Sequence, residues 1–234
     1  MDQAKIKILE SIFYTKHMYF ESRTEAGRLL AGKLMNYRYE NVCVLALNEG
    51  GVLVGREIAA SLHCALTMMV VSKIDVPGES QTFGTMSHSG GFLANKEFSD
   101  GQIEEYYAEF HGLIDQQKQE EFRKMNRVLA GGGLAGRAML QSQVVVLVAD
   151  GMKDSELLHA AAEFLKPVKL QRIIVATPIA SVPVVDTMHI MADEIQCLGV
   201  ASNYLDTNHY FDINDVPDHE RIVEMIEHNV LYWR

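Results

Sequence analysis

Short, continuously apolar runs alternate along the chain with stretches in which apolar residues recur every three or four positions. Residues 42–47 read Val-Cys-Val-Leu-Ala-Leu and stop at Asn48-Glu49-Gly50-Gly51. That is the pattern of a strand covered on both faces and ended by a turn. In residues 52–62, Val54, Ile58, Ala59 and Leu62 fall on one side, which predicts a helix. The apolar run 65–74 predicts the next strand. Strand, glycine turn, helix and strand make a βαβ unit and favour a parallel sheet. Residues 144–148 are the strongest strand pattern, followed by Ala149-Asp150-Gly151 and a helix over 155–165 that Pro167 ends. Further strands are predicted at 172–177 and 194–198. Upstream, 22–37 reads as a helix with Ser22 as N-cap, Glu25 at the capping-box spacing, and a stripe of Ala26, Leu29, Leu30, Lys33 and Leu34. Residues 4–20 read as a weakly helical or irregular opening. The expected fold is α/β, a mostly parallel sheet flanked by helices, with residues 1–234 as one domain.

One stretch departs from this rhythm. Residues 75–99 are rich in Gly, Ser, Pro and Asn and suggest a loop with a hairpin. A charged helix over 102–129 carries Tyr106, Tyr107, Phe110, Leu113 and Ile114 as an apolar stripe suited to core packing. Residues 130–136, Ala-Gly-Gly-Gly-Leu-Ala-Gly, lack the Lys-Ser/Thr of a nucleotide-binding P-loop and suit a hinge or mobile flap. Residues 81–140 are therefore expected to form a small hood or flap region, and 200–234 a tail near the site with a helix over 218–229.

Composition narrows the partners. The chain has 234 residues, 48% of them hydrophobic, as in an ordinary globular domain. Lys plus Arg is 21 against 31 for Asp plus Glu, a formal charge of −10. Such a surface lacks the basic footprint that nucleic acids need and is repelled by anionic membranes. It leaves room for a small anionic ligand, because a few local donors suffice to hold a phosphate. Cys43, Cys64 and Cys197 all sit in apolar runs with no metal-ligand spacing, so they are expected as buried hydrophobes. With no signal-peptide pattern and no apolar run long enough to span a bilayer, a soluble, cytoplasmic protein is expected.

Ligands of open α/β sheets sit beyond the carboxyl ends of the strands, which directs attention to residues 48–51, 71–73 and 149–155. The residues there, with Phe20-x-x-Arg23-x-x-Ala26-Gly27-x-x-Leu30, Leu45-Ala46-Leu47-x-x-Gly50-Gly51-Val52, Val71-x-Lys73-x-x-x-Pro77-Gly78 and the run 144–151, resemble the type I phosphoribosyltransferases, in the subgroup of small phosphoribosyltransferase-like proteins. Pro178-Ile179-Ala180, Ala192-Asp193-Glu194 and Tyr210-Phe211 extend the resemblance to most of the chain. It implies a fold that binds 5-phosphoribosyl-1-pyrophosphate with Mg2+ and transfers the phosphoribosyl group to a base nitrogen. It also implies Asp150 as the catalytic acid, a homodimer, and a ligand site built from Glu49, Gly50, Gly51, Lys73, Gly151, Met152, Lys153, Asp154, Ser155 and Glu156.

The chain departs from the family pattern at several of these positions. The acid pair is Ala149-Asp150, and the phosphate loop, which in the family contains Thr-Gly and a final Thr, reads Lys153-Asp154-Ser155-Glu156-Leu157. Asn48-Glu49 precedes Gly50-Gly51 where the family has Pro-Arg, and Ser72 stands where an arginine is usual. Carboxylates about 4 Å from a phosphate repel it by about 4 kcal/mol per charge pair at an effective dielectric near 20. Asp154 or Ser155 is, moreover, a good N-cap, so the protein's own side chains are expected to fill the anion site. Three readings follow: a divergent phosphoribosyltransferase with impaired transfer, a non-catalytic binding or regulatory protein on the same fold, or a metal-dependent enzyme using Asp150, Asp154 and Glu156. Mg2+ is implied only alongside a phosphoribosyl pyrophosphate-type ligand, and Glu156 is expected to point along its helix rather than into the cleft. His88 in its loop, Asp186 with His189, and the tail residues Asp206, His209, Tyr210 and Asp212 are expected mainly at the surface, the tail also being placed to cap a site.

Overall fold

The computed structural model describes residues 18–79, 82–87, 91–95, 98–130 and 137–227. The expected opening (4–20) up to residue 17, the glycine-rich 131–136 and His88 lie outside them.

The helix α1 (Arg23–Lys33) starts at Ser22, whose Oγ accepts the Glu25 N–H at 3.2 Å. Its buried stripe is Arg23, Ala26, Gly27, Leu30 and Ala31, not the stripe expected through Leu29 and Lys33, which face solvent. The chain continues as β1 (Val42–Ala46), α2 (Glu49–Leu62) and β2 (Ala65–Met68). The single strand expected over 65–74 is in fact two. At Met69, whose N–H reaches Ala46 O at 2.8 Å, the chain leaves the main sheet, and β3 (Val71–Ile74) pairs elsewhere. One apolar run serves both sheets, so the sequence shows no break.

β3 pairs antiparallel with β4 (Gly84–Ser87), and β4 with β5 (Phe92–Ala94), the hairpin expected in this region. The helix α3 (Asp100–Ala130) lies over this small sheet, with non-helical backbone angles at Phe110. Ile74, Val76, Phe83, Met86, Phe98, Ile114 and Met125 form the core beneath it, with Tyr106, Tyr107 and Phe110 packed on its margin.

The main sheet is completed by β6 (Val144–Val148), β7 (Arg172–Ser181) and β8 (Glu194–Ala201), in the order β2-β1-β6-β7-β8, all parallel. Strand alternation divides its side chains between two cores. Val42, Val44 and Ala46 face α1 and α2, whereas Cys43, Leu45 and Leu47 face α4 (Glu156–Leu165) and α5 (Val182–Met191). After β8 a short 3₁₀ turn (Thr207–Tyr210) and α6 (His219–Glu227) close the first of these layers, and Phe20 bridges to Phe211. All three cysteines are buried, which pushes their thiols up to about 12. Among the described residues no helix is long and apolar enough to cross a membrane.

Candidate functional site

In a parallel sheet the turns that follow the strands collect along one edge. Here that edge holds the turn after β1, the turn after β6, and β3 of the small sheet. Asn48 begins the first turn and caps α2, its Oδ1 accepting the Gly51 N–H at 2.8 Å. Its amide then reaches across to Asp150, Nδ2 donating to Oδ1 at 2.7 Å. The other carboxylate oxygen of Asp150 meets Arg23 Nε at 2.6 Å, and both side chains are buried, 2% and 5% exposed. Arg23 in turn donates to Asn208 Oδ1 at 2.7 Å and Asn214 Oδ1 at 3.3 Å, and its guanidinium lies 4.5 Å from the centre of the Phe211 ring. Asp150, the expected catalytic acid, is therefore the counter-ion of a buried arginine. Gly50 is required beside it, since a Cβ at that position would stand 2.0 Å from Asp150 Oδ2.

The turn after β6 is similarly occupied. Gly151 packs against the post-β8 segment, where a Cβ would stand 2.3 Å from Tyr204 Oη. Met152 is stitched to β7, its N–H donating to Ile179 O at 3.0 Å and its carbonyl accepting the Ser181 N–H at 2.9 Å. The Lys153 carbonyl accepts from Ser181 Oγ at 2.8 Å. Asp154 Oδ1 accepts the Glu156 N–H at 3.1 Å, supplying a partner to the first turn of α4, while Ser155 Oγ bonds to Thr187 at 2.8 Å. Two backbone donors of this loop thus have partners within the protein.

Between the two sheets lies a cleft of about 630 Å³. Of the expected ligand-binding residues, Glu49, Lys73, Gly151, Met152, Lys153, Asp154 and Glu156 line it; Ser155 does not. Gly50 and Asp150 line an adjoining cavity of about 450 Å³, with Glu49 shared between the two; Gly51 is buried behind both. Glu156 does not run along its helix. It spans the cleft, 3.4 Å from Lys73 Nζ, and accepts from Asn95 Nδ2 at 3.2 Å. The charge on β3 and the amide beyond β5 draw it across, and neither neighbour is visible in local sequence.

Several lining residues carried no assigned role in the sequence. Arg23, Asn48, Thr207, Asn208 and Asn214 line the adjoining cavity, and Thr85 and Lys124 the cleft. Arg23 had one legible signal: it stands in phase with the buried stripe Ala26, Gly27, Leu30 and Ala31. The post-β8 segment does reach the site, but through Thr207, Asn208 and Asn214. Among its expected residues, Asp206 caps the 3₁₀ turn, His209 bonds to Tyr19 Oη at 3.2 Å, Tyr210 is buried and Asp212 is exposed. Asp186 and His189 are exposed on α5.

Mg2+ favours a few carboxylate oxygens together with ligand phosphates. Among the described residues no group of three or more His, Cys, Asp or Glu side chains is placed to hold a metal ion. Asp150 faces Arg23 and Asn48, Asp154 caps α4, and Glu156 bridges to Lys73. These side chains do not fit a resident metal, and the three acids do not converge as a metal-dependent enzyme would require.

Comparisons with known proteins agree with this architecture. The family model described as phosphoribosyl transferase domain matches residues 18–184. Two Mycobacterium tuberculosis proteins named "Putative phosphoribosyl transferase", MT0597 of strain CDC 1551 / Oshkosh and Rv0571c of strain ATCC 25618 / H37Rv, are each 30% identical over 184 residues, 76% of this chain. The chain spans about 40% of the length of these relatives. The crystal structure of TT1426 from Thermus thermophilus shares the fold, with a TM-score of 0.68 at 24% identity over 92% of this chain and 99% of that one.

Proposed function

From the premise that this chain belongs to the phosphoribosyl transferase domain family, matched over residues 18–184, we propose that its cleft binds a phosphoribosyl- or nucleotide-type ligand and that ordinary phosphoribosyl transfer is impaired. The observation that carries this reading is the state of the turn after β6. Where the family resemblance expects the 5′-phosphate, Asp154 already takes the Glu156 N–H and β7 takes that of Met152. A helix N-terminus binds anions through free N–H groups and its partial positive charge, and here the protein's own carboxylate answers both. Asp150, expected to hold the ribose hydroxyls, is held by Arg23 and Asn48 instead. Binding without turnover, the non-catalytic reading, draws on the same contacts.

Calorimetry with phosphoribosyl pyrophosphate and Mg2+, paired with an assay of pyrophosphate release, tests the proposal. We expect no release and a dissociation constant weaker than micromolar, while nucleoside monophosphates raise the melting temperature. Micromolar binding of phosphoribosyl pyrophosphate with release overturns impairment, and absence of any thermal response overturns the ligand class. The combined replacement Glu49→Arg, Asp154→Thr and Ser155→Gly removes two carboxylates and restores the family's residues. It is expected to tighten phosphoribosyl pyrophosphate binding about tenfold, the equivalent of about 1.4 kcal/mol. A folded triple variant with unchanged affinity places the phosphate elsewhere.

A further inference from the structure

The cleft has a polarity of its own. All its lining carboxylates come from the main-sheet side: Glu49 on α2, Asp154 in the turn and Glu156 on α4, with Lys153 beside Asp154 as the one cation there. The charges lining it from the small-sheet side are both ammonium groups, Lys73 on β3 and Lys124 on α3. They are tied to one another's neighbourhood. Lys124 Nζ meets Glu121 at 2.5 Å, and Glu121 also hydrogen-bonds to Ser72, the residue before Lys73. Burial alone works to raise the Glu121 carboxyl, yet the bonds from Lys124 and Ser72 and the Lys124 charge hold it below the usual glutamate range. It is thus a charged anchor that sets Lys124 at the mouth of the cleft beside β3. Lys124 and Lys73 remain 67% and 58% exposed. An ammonium has three donors, so a single carboxylate partner leaves each able to donate to a further anionic oxygen.

The rest of the lining says what that anion is attached to. Met68, Met69, Val71, Met125, Met152 and Leu157 give the cleft an apolar body. Among the described lining residues none is aromatic, so none of them offers a ring for a base to stack on. The one side-chain amide among them, Asn48, has its donor on Asp150 and its acceptor on Gly51. A purine or pyrimidine edge is recognised by paired donors and acceptors and commonly by stacking. Beside the single hydroxyls of Ser72, Thr85 and Thr207, this wall offers methionine thioethers, which mould to flat apolar bodies, under two cations.

We infer that the small-sheet side of the cleft takes a moiety with an apolar body and an anionic group, an aromatic carboxylate in the simplest case, rather than a neutral nucleobase, with Lys124 as the residue that selects it. The inference rests on the reading that this cleft is the ligand site, and it names the group that stands where a base would otherwise lie. The carboxylate is directed toward Lys124 and Lys73, and the ring lies over Met125 and Val71. Glu156 already reaches Lys73, and the carboxylates left on the far wall, Glu49 and Asp154, discourage the reverse orientation.

The experiment is calorimetry of the intact chain with benzoate and, separately, hypoxanthine as probes. It is run on the wild type, Lys124→Ala and Lys124→Arg, with a phosphoribosyl pyrophosphate–Mg2+ titration in parallel. Lys124 is exposed, so its variants are expected to fold, which their melting temperatures check. The expected result is that benzoate binds and hypoxanthine does not, that Lys124→Ala weakens benzoate at least fivefold, and that Lys124→Arg restores most of the loss. Hypoxanthine binding as tightly as benzoate overturns the inference, as does an unchanged benzoate affinity in Lys124→Ala or no benzoate binding at all. If benzoate behaves as expected while nucleotide- and phosphoribosyl-type ligands give no response, the ligand class proposed above fails and the preference assigned to Lys124 stands. If those ligands bind and benzoate does not, only the present inference fails.

Discussion

Arg23 and Asp150 show how one buried pair redirects a site. Taking two charges out of water costs several kcal/mol for each ion, repaid only by close geometry and further hydrogen bonds. The pair has both: 2.6 Å between the charged groups, Asn48 on the carboxylate, Asn208 and Asn214 on the guanidinium. Removing one partner strands the other. Arg23→Met or Asp150→Asn is expected to cost about 3–5 kcal/mol in urea unfolding, whereas the two combined should cost clearly less than the sum of the single changes. Additive losses would mean that the two residues stabilise the fold independently. Asp150 was legible as a candidate because it follows the strongest strand pattern. Its pairing with Arg23 was not, because 127 residues separate the two in sequence.

Elements were legible where a single periodicity ran without interruption. β1, α2, β6 and the capped start of α1 lie close to where the hydrophobic pattern put them. The pattern erred where one apolar run served two purposes, as at Met69, or where β7 continues to Ser181 through Pro178, which has no N–H to donate to the ladder. Contacts between elements were hidden because they rest on small residues. Gly27 lets α1 approach α2 so closely that a Cβ there would stand 2.6 Å from the Val54 carbonyl oxygen. The obstacle is backbone, which yields little, so Gly27→Ala is expected to lower stability by about 1–3 kcal/mol despite alanine's better helix propensity. Thermal or urea unfolding of this variant checks it, and a gain in stability would show that the two helices separate without cost.

At the scale of the molecule, the two sheets meet at Glu156, which carries the first turn of α4 to Lys73 on β3 and to Asn95 beyond β5. Glu156→Ala should therefore speed amide exchange in β3 and β4 while leaving β6 and β7 as protected as before, since those strands lie between two packed layers. Equal protection throughout would show that the apolar core under α3 holds the small sheet alone. The formal charge of −10 is not concentrated in the cleft, whose lining sets Glu49, Asp154 and Glu156 against Lys73, Lys124 and Lys153. By itself the sequence determined the α/β class and the mostly parallel sheet, and it pointed to the turns after β1 and β6 as candidates for a site. These follow from local periodicity and from residue types at fixed spacings. Only the tertiary structure decided what each charge faces: Arg23 for Asp150, Lys73 for Glu156, Lys124 for Glu121. Electrostatic energy depends on distance through space and on exclusion of water, and both are set by chain segments far apart in sequence.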